Sequence, residues 1–282
     1  MLLLFPMLKL LLRIVFVLTL GPIVPAMADE AMPDSSLTLS AHLESDRAMI
    51  RSGLIWRIYA DPTDGTPARF VQLSEAATPS FSLKPGAYIV HVAYGLSGTT
   101  QRIVLGSNPV RETISISAGA LVLNALVGDT PIPTEKVRFS IYVAVGTDPE
   151  GRLIADNLKT GVTIRLPIGI YRVVSRYGDT NAVASADLAV EPANLIKATL
   201  RHRAATVTLK LVNNLGGEAY AGTNFSVLTP GGDTIRDLFG AFPSLILAEG
   251  DYILIARNAG RVYTSEFKVR SGVDQDIEVL AR

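Results

Sequence analysis

The chain has 282 residues, with 26 basic and 26 acidic side chains and no cysteine. That length accommodates about two or three ordinary domains. The balanced charge without a basic block argues against a nucleic-acid partner, and the lack of cysteine removes disulfides, thiolate metal sites, a cysteine nucleophile and a lipid-carrying cysteine together.

The first 28 residues read as a secretory signal. Lys9 and Arg13 precede the apolar run 14–20, and Ala26-Met27-Ala28 supplies a small-x-small cleavage pattern. Gly21, Pro22 and Pro25 interrupt the run before it reaches the roughly twenty residues that span a bilayer. The alternative is a retained anchor, because residues 1–7 are also largely apolar. Cleavage before Asp29 predicts an exported chain with no membrane span, periplasmic or at the cell surface if the host is Gram-negative. Residues 29–36, with proline, serine and acids but no periodicity, are expected to be a flexible arm.

From residue 37 onward the pattern is apolar–polar alternation in short runs, the mark of half-buried strands. Residues 37–43, 53–59, 70–73, 81–83, 88–94, 100–105 and 113–117 make a set of about seven, separated by turn residues. Strands at this spacing predict a β-sandwich or barrel, and no segment has a helical period.

The set recurs. Trp56 and Phe139, Tyr88 and Tyr171, and Gly95 and Gly178 are each 83 residues apart. In a third copy Phe225 follows Phe139 by 86 residues and Tyr252 follows Tyr171 by 81, so about five residues are lost from a loop now closed by Pro230-Gly-Gly-Asp233. The chain is therefore expected to be all-β: three tandem Ig-like or prealbumin-like seven-stranded sandwiches, over 37–118, 119–203 and 204–282. The joints, through Ala118-Gly119 and through Arg201-His-Arg203, are short and without the glycine, serine or proline richness of flexible linkers, which predicts a semi-rigid rod. Unpaired strand edges would be open to strand addition.

The repeat register assigns a core. Trp56, Phe139 and Phe225 should point inward beside Ile58, Ile141 and Val227. Leu83, Leu166 and Leu247 should do so before a tight turn, and Tyr88, Tyr171 and Tyr252 after it. Each tyrosine is expected to bury its ring while its hydroxyl finds a backbone or water partner. Gly86, Gly169 and Gly250, two residues earlier, are expected to adopt a conformation closed to branched residues.

Chemistry is hard to find. His42, His91 and His202 occupy unrelated repeat positions without ligand spacing. No G-x-S-x-G elbow, Walker pattern or dinucleotide fingerprint is present, so no catalytic residue, metal or cofactor is implied. Acids cluster in two equivalent loops, Asp61 with Asp64 and Asp148 with Glu150. They offer part of a calcium shell, or ordinary turn chemistry. By alternation Tyr59 and Tyr142 face away from Trp56 and Phe139, making an outward face that suits a sugar ring or a protein.

At the hairpin the chain resembles carboxypeptidase-regulatory-like and Cna-B-like β-sandwich modules. Leu83-Lys-Pro-Gly86-Ala-Tyr88-Ile-Val90 fits their L-x-P-G-x-Y-x-V pattern, the second copy moves the proline, and the third lacks it. The stretch from Arg51 to Gly95 also resembles uncharacterised exported bacterial proteins. The resemblance implies a non-enzymatic accessory, spacer or adhesion role and carries no catalytic residue. A structural or protein-interaction module of the cell envelope is the first expectation, with another envelope protein as partner. Binding of a surface glycan or peptidoglycan through outer-sheet tyrosines is the second, and a hydrolase assembled from distant residues the third.

Overall fold

The structure is a computed structural model that describes residues 34–62, 65–145 and 148–282, with the side chains of 145 and 148–150 outside the description. The expected leader and residues 29–33 also lie outside it. Eight strands form the first repeat: β1 (Ser35–Leu43), β2 (Asp46–Met49), β3 (Leu54–Ala60), β4 (Arg69–Ser74), β5 (Ser80–Leu83), β6 (Gly86–Tyr94), β7 (Ser97–Leu105) and β8 (Val110–Ile116). The second holds β9 (Ala118–Val127), β10 (Thr130–Pro131), β11 (Val137–Val145), β12 (Asp148–Leu158), β13 (Thr163–Pro167), β14 (Gly169–Tyr177), β15 (Val183–Val190) and β16 (Leu195–His202). The third holds β17 (Ala204–Val212), β18 (Asn224–Leu228), β19 (Thr234–Phe239), β20 (Ser244–Ala248), β21 (Gly250–Asn258), β22 (Arg261–Val269) and β23 (Gln275–Leu280). Seven strands recur, and the short β2 and β10 are additions to β1 and β9.

Each repeat is two sheets. One is antiparallel, in the orders β4-β3-β6-β7, β12-β11-β14-β15 and β19-β18-β21-β22. The other centres on the first strand, as β5-β1-β8, β13-β9-β16 and β20-β17-β23. In that sheet the first and last strands pair in parallel: Leu37 lies opposite Val110, Leu195 opposite Ala120, and Val207 opposite Gln275. A parallel pair needs a crossover between its strands, here the whole intervening repeat. The chain therefore enters each sandwich at one end and leaves at the other.

Alternation puts one face of each sheet into a shared core. Trp56, Phe139 and Phe225 are buried, each in its own apolar cluster with Ile58, Ile141 or Val227 beside it. Leu83, Leu166 and Leu247 are buried from the facing sheet. Each large apolar side chain so buried contributes about 1.5–3 kcal/mol relative to exposure.

Two expectations need correction. Strand β1 begins at Ser35, inside the segment expected to be a flexible arm. Ser35 pairs with Leu83 and its hydroxyl donates to the Asn108 carbonyl at 2.8 Å, so a buried serine there is satisfied. Among the three hairpin glycines only Gly169 has a positive φ, at 155°. At Gly86 and Gly250 a Cβ would meet the ring of Tyr88 and of Tyr252 at 3.8 Å, ordinary contact, so the ring over the glycine and not a special φ is what recurs.

The joints are single residues, Ser117 between β8 and β9 and Arg203 between β16 and β17. Ala118 belongs to the core of the first repeat and Ala204 to that of the second, so each first strand is rooted in the preceding sandwich. A second contact is built twice. The tip of the β6–β7 hairpin packs on Arg165 in β13, with the Leu96 amide donating to the Arg165 carbonyl at 3.0 Å. The tip of the β14–β15 hairpin packs on Ile246 in β20, whose carbonyl accepts from the Thr180 hydroxyl. Asn181 adds bonds to the Ala248 amide and the Tyr252 hydroxyl, and Asp179 pairs with Arg236 at 2.7 Å. Both joints place a hairpin tip on the middle of the next repeat's edge strand.

Candidate functional site

The recurring hairpin is a structural corner. Tyr88, Tyr171 and Tyr252 are buried, and their hydroxyls donate to the carbonyls of Lys84, Pro167 and Ala248 at 2.7, 2.9 and 2.7 Å. Each bond spans four residues and ties the strand start to the turn before it. Burial pushes all three phenols above their ordinary range, with Asp34 adding to the effect at Tyr88 and Asn181 partly offsetting it at Tyr252. A phenol held neutral and bonded to backbone offers no ligand a free group.

Tyr59 and Tyr142 lie on the faces of their sheets opposite Trp56 and Phe139, as alternation requires. They sit on separate sheets of separate repeats, and both are half-buried. Tyr59 has Phe70 directly across on β4, the rings meeting edge to face at 5.7 Å, and Ile89 on its other side. Arg102 continues this row beyond Ile89 and donates to the Asp61 carboxylate at 2.6 Å. A neighbouring row runs Leu73, Arg57, His91. Tyr142 lies between Leu153 and Arg172, with Asp187 beyond, and the third repeat has Leu228 at this place. Among the described residues an aromatic pair occurs at this place in the first repeat alone.

The edge strand β4 is the most open apolar element of that face. Phe70, Val71 and Leu73 are all exposed, Phe70 at 52% and Leu73 at 46%. Its counterparts are blunted. Strand β4 shifts register once against β3, between Ile58 and Tyr59, whereas β12 pairs with β11 through three such shifts; β19 exposes Phe239 at 69% but also carries Arg236, held by Asp179 of the preceding repeat. Sequence alternation flagged unpaired edges in general but could not rank them, because bulges and neighbour contacts are set by long-range pairing.

Of the remaining candidates, Asp61, His42 and His202 are held by local bonds. Asp61 is engaged by Arg102. Asp64 lies outside the described residues, as do the side chains of Asp148 and Glu150. Among the described residues no three carboxylates, histidines or cysteines converge as a metal would need. His42 bonds the Leu43 carbonyl at 2.8 Å. His202 bonds Ser175 at 2.7 Å, a spacing suited to a nucleophile and its base, yet Ser175 is 0% and His202 2% exposed, and burial holds the imidazole below its ordinary pKa. A substrate has no approach to this pair, so it is a core bond. A polar network on the outer face of the second repeat joins Arg176, Ser140 and Asp156; the Ser140 bond, then the Asn157 amide, holds the Asp156 carboxyl below the usual carboxylate range.

Sequence reasoning missed Arg165. Its guanidinium stands 4.4 Å over the Tyr94 ring at the joint of the first two repeats. The available signal was an unlike residue in a repeated slot, where the other copies have Ser82 and Ile246.

A family model described as a Rhizobiales growth-associated tandem repeat domain matches residues 206–281, within the third repeat. No curated protein matches the chain in sequence. Among solved structures, the chain is similar to a streptococcal ancillary pilin, at 13% identity over 88% of this chain and 99% of that one, with a TM-score of 0.32. It is also similar to GBS52, the minor pilin of Streptococcus agalactiae, at 16% identity over 60% and 95%, TM-score 0.29. The Bacillus anthracis TIE protein matches at 14% identity and TM-score 0.25 over 88% of this chain, which spans about half (51%) of that protein's length. The chain is an all-β tandem-repeat protein of sandwich modules.

Proposed function

We propose that the chain is an exported, non-enzymatic interaction module of the cell envelope, and that its first repeat binds another envelope protein along β4. The observation that carries this reading is the exposed apolar edge formed by Phe70, Val71 and Leu73 beside Tyr59. An edge strand offers a row of backbone donors and acceptors, which an extended segment of a partner satisfies by adding as a further strand. Phe70 and Tyr59 then give that segment an aromatic anchor. The tip-to-edge joints hold the sandwiches in a fixed relation, so the bound segment is presented from a stiff support.

The test is site-specific photocrosslinking in intact cells, with the reactive residue at Phe70 or, as a control, at Val183 on the opposite kind of edge in the second repeat. An adduct of defined mass formed from position 70, absent from position 183 and lost when Leu73→Lys is added, supports the reading. Equal labelling from both positions, or none from either, overturns it.

A further inference from the structure

The two joints use the same contact but are not equally filled. At the second joint the hairpin turn is long, and Thr180 and Asn181 seal it through bonds to Ile246, Ala248 and Tyr252. At the first joint the turn is only Gly95 and Leu96, since Tyr94 already pairs with Ser97. A cavity of about 220 Å³ remains there, between Leu43 and Tyr94 of the first repeat and Ala120, Arg165 and Leu195 of the second. Its walls are mainly apolar. Arg165 is the single charged group lining it, and the Tyr94 ring lies against its guanidinium at 4.4 Å. Among the described residues no carboxylate pairs with Arg165. The equivalent place in the second joint has Ile246, which packs against the core of the second repeat and leaves no such charge.

From this we infer that the first joint is a binding site for a small organic carboxylate with an apolar body. The planar guanidinium donates two parallel bonds to a carboxylate. The ring of Tyr94 fixes its orientation, because a cation is attracted to an aromatic face. Leu43, Ala118, Ala120 and Leu195 take the apolar part, in the usual manner of a small-molecule cleft with few polar groups. The ligand touches both repeats at once, so it fastens the joint that lacks an Asn181. This site is independent of β4 and of the reading built on it.

The test is a two-dimensional NMR titration of the full chain with hexanoate and benzoate, with hexanol as uncharged control. The expected result is saturable shifts of the Leu43, Tyr94, Ala120 and Asn194 amides with hexanoate. Arg165→Gln weakens the affinity by about tenfold or more, as loss of a charge-assisted bond does, and hexanol binds weaker by a similar factor. Arg165→Lys recovers part of the loss, which separates missing charge from altered packing. Both substitutions are at a half-exposed side chain, and circular dichroism with a melt confirms that they fold. Equal affinity of hexanoate for the wild type and Arg165→Gln overturns the inference, and so does the absence of shifts at the joint amides with both carboxylates.

Discussion

Gly95 lies so close to Arg165 that a Cβ placed on it would stand 2.7 Å from the Arg165 Cβ and 3.1 Å from its carbonyl oxygen. Gly178 has the same relation to Ile246, at 3.0 Å. Both glycines have positive φ, +66° and +73°, so turn geometry and close approach demand the same residue.

Gly95→Ala is therefore expected to loosen the first joint with little harm to the two sandwiches. Strain of about 1–3 kcal/mol is available to drive the tip off Arg165. Limited proteolysis should then cut near Ser117 faster than in the wild type, while strand content by circular dichroism is unchanged. An unaltered cleavage rate would mean that the tip contact adds nothing to the joint.

The tyrosine corner separates ring from hydroxyl. Tyr171→Ala should destabilise the second repeat by about 3–5 kcal/mol, the range for deleting a buried aromatic side chain. Tyr171→Phe should cost only about 1 kcal/mol, the net value of one hydrogen bond. Urea denaturation of the full chain, followed through the second repeat, measures both. Similar losses for the two variants would show that the bond to Pro167 outweighs packing.

Stability should fall on both sides of neutral pH, for different groups. Burial lowers the folded pKa of His202 below its ordinary value near 6.5, so its contribution is complete above that pH and declines as pH falls through it. Burial raises the folded pKa of the three corner tyrosines above about 10, so their contribution is complete below that pH and declines as pH rises past it. His202→Gln, which still offers Ser175 a partner, should flatten the acid limb and leave the alkaline one. Unfolding free energies measured by denaturant from pH 5 to pH 11 on both proteins would show whether the acid limb belongs to His202.

Surface changes on β4 should separate binding from folding. Phe70→Ser with Leu73→Lys removes two exposed side chains, so stability should change by no more than about 0.5 kcal/mol per site, while the crosslink from the first repeat disappears. Should a surface glycan be the ligand, the sensitive change is Tyr59→Ala with Tyr142→Ala, read on a glycan array. A glycan signal abolished by that pair and untouched by Phe70→Ser would replace the protein partner with a sugar.

The core was legible because alternation is a local signal. Trp56, Phe139 and Phe225 each sit two residues from another buried apolar residue, and the repeat register checks one copy against another. The tyrosines followed from the same rule. What alternation cannot carry is which strand lies beside which. The pairing of Leu37 with Val110 joins residues more than seventy apart in sequence, and nothing near either residue encodes the other. The docking of Gly95 on Arg165 is of the same kind: the sequence shows a repeated Tyr-Gly, but not that its tip meets the next module. A turn glycine suggests positive φ, which holds for Gly169 and fails for Gly86 and Gly250, because φ is set by the local turn and the turns differ between copies.

The parallel pairing of first and last strands has a mechanical consequence. Tension applied to the two ends of the chain pulls β1 and β8 past each other along their length, and does the same to β9 with β16 and β17 with β23. Their evenly spaced ladder bonds are then loaded together in shear, whereas a hairpin pulled at its open end gives way one bond at a time. Each sandwich is thus placed to resist stretching through its longest terminal ladder, and the single-residue joints at Ser117 and Arg203 leave almost no slack to be taken up before that resistance begins.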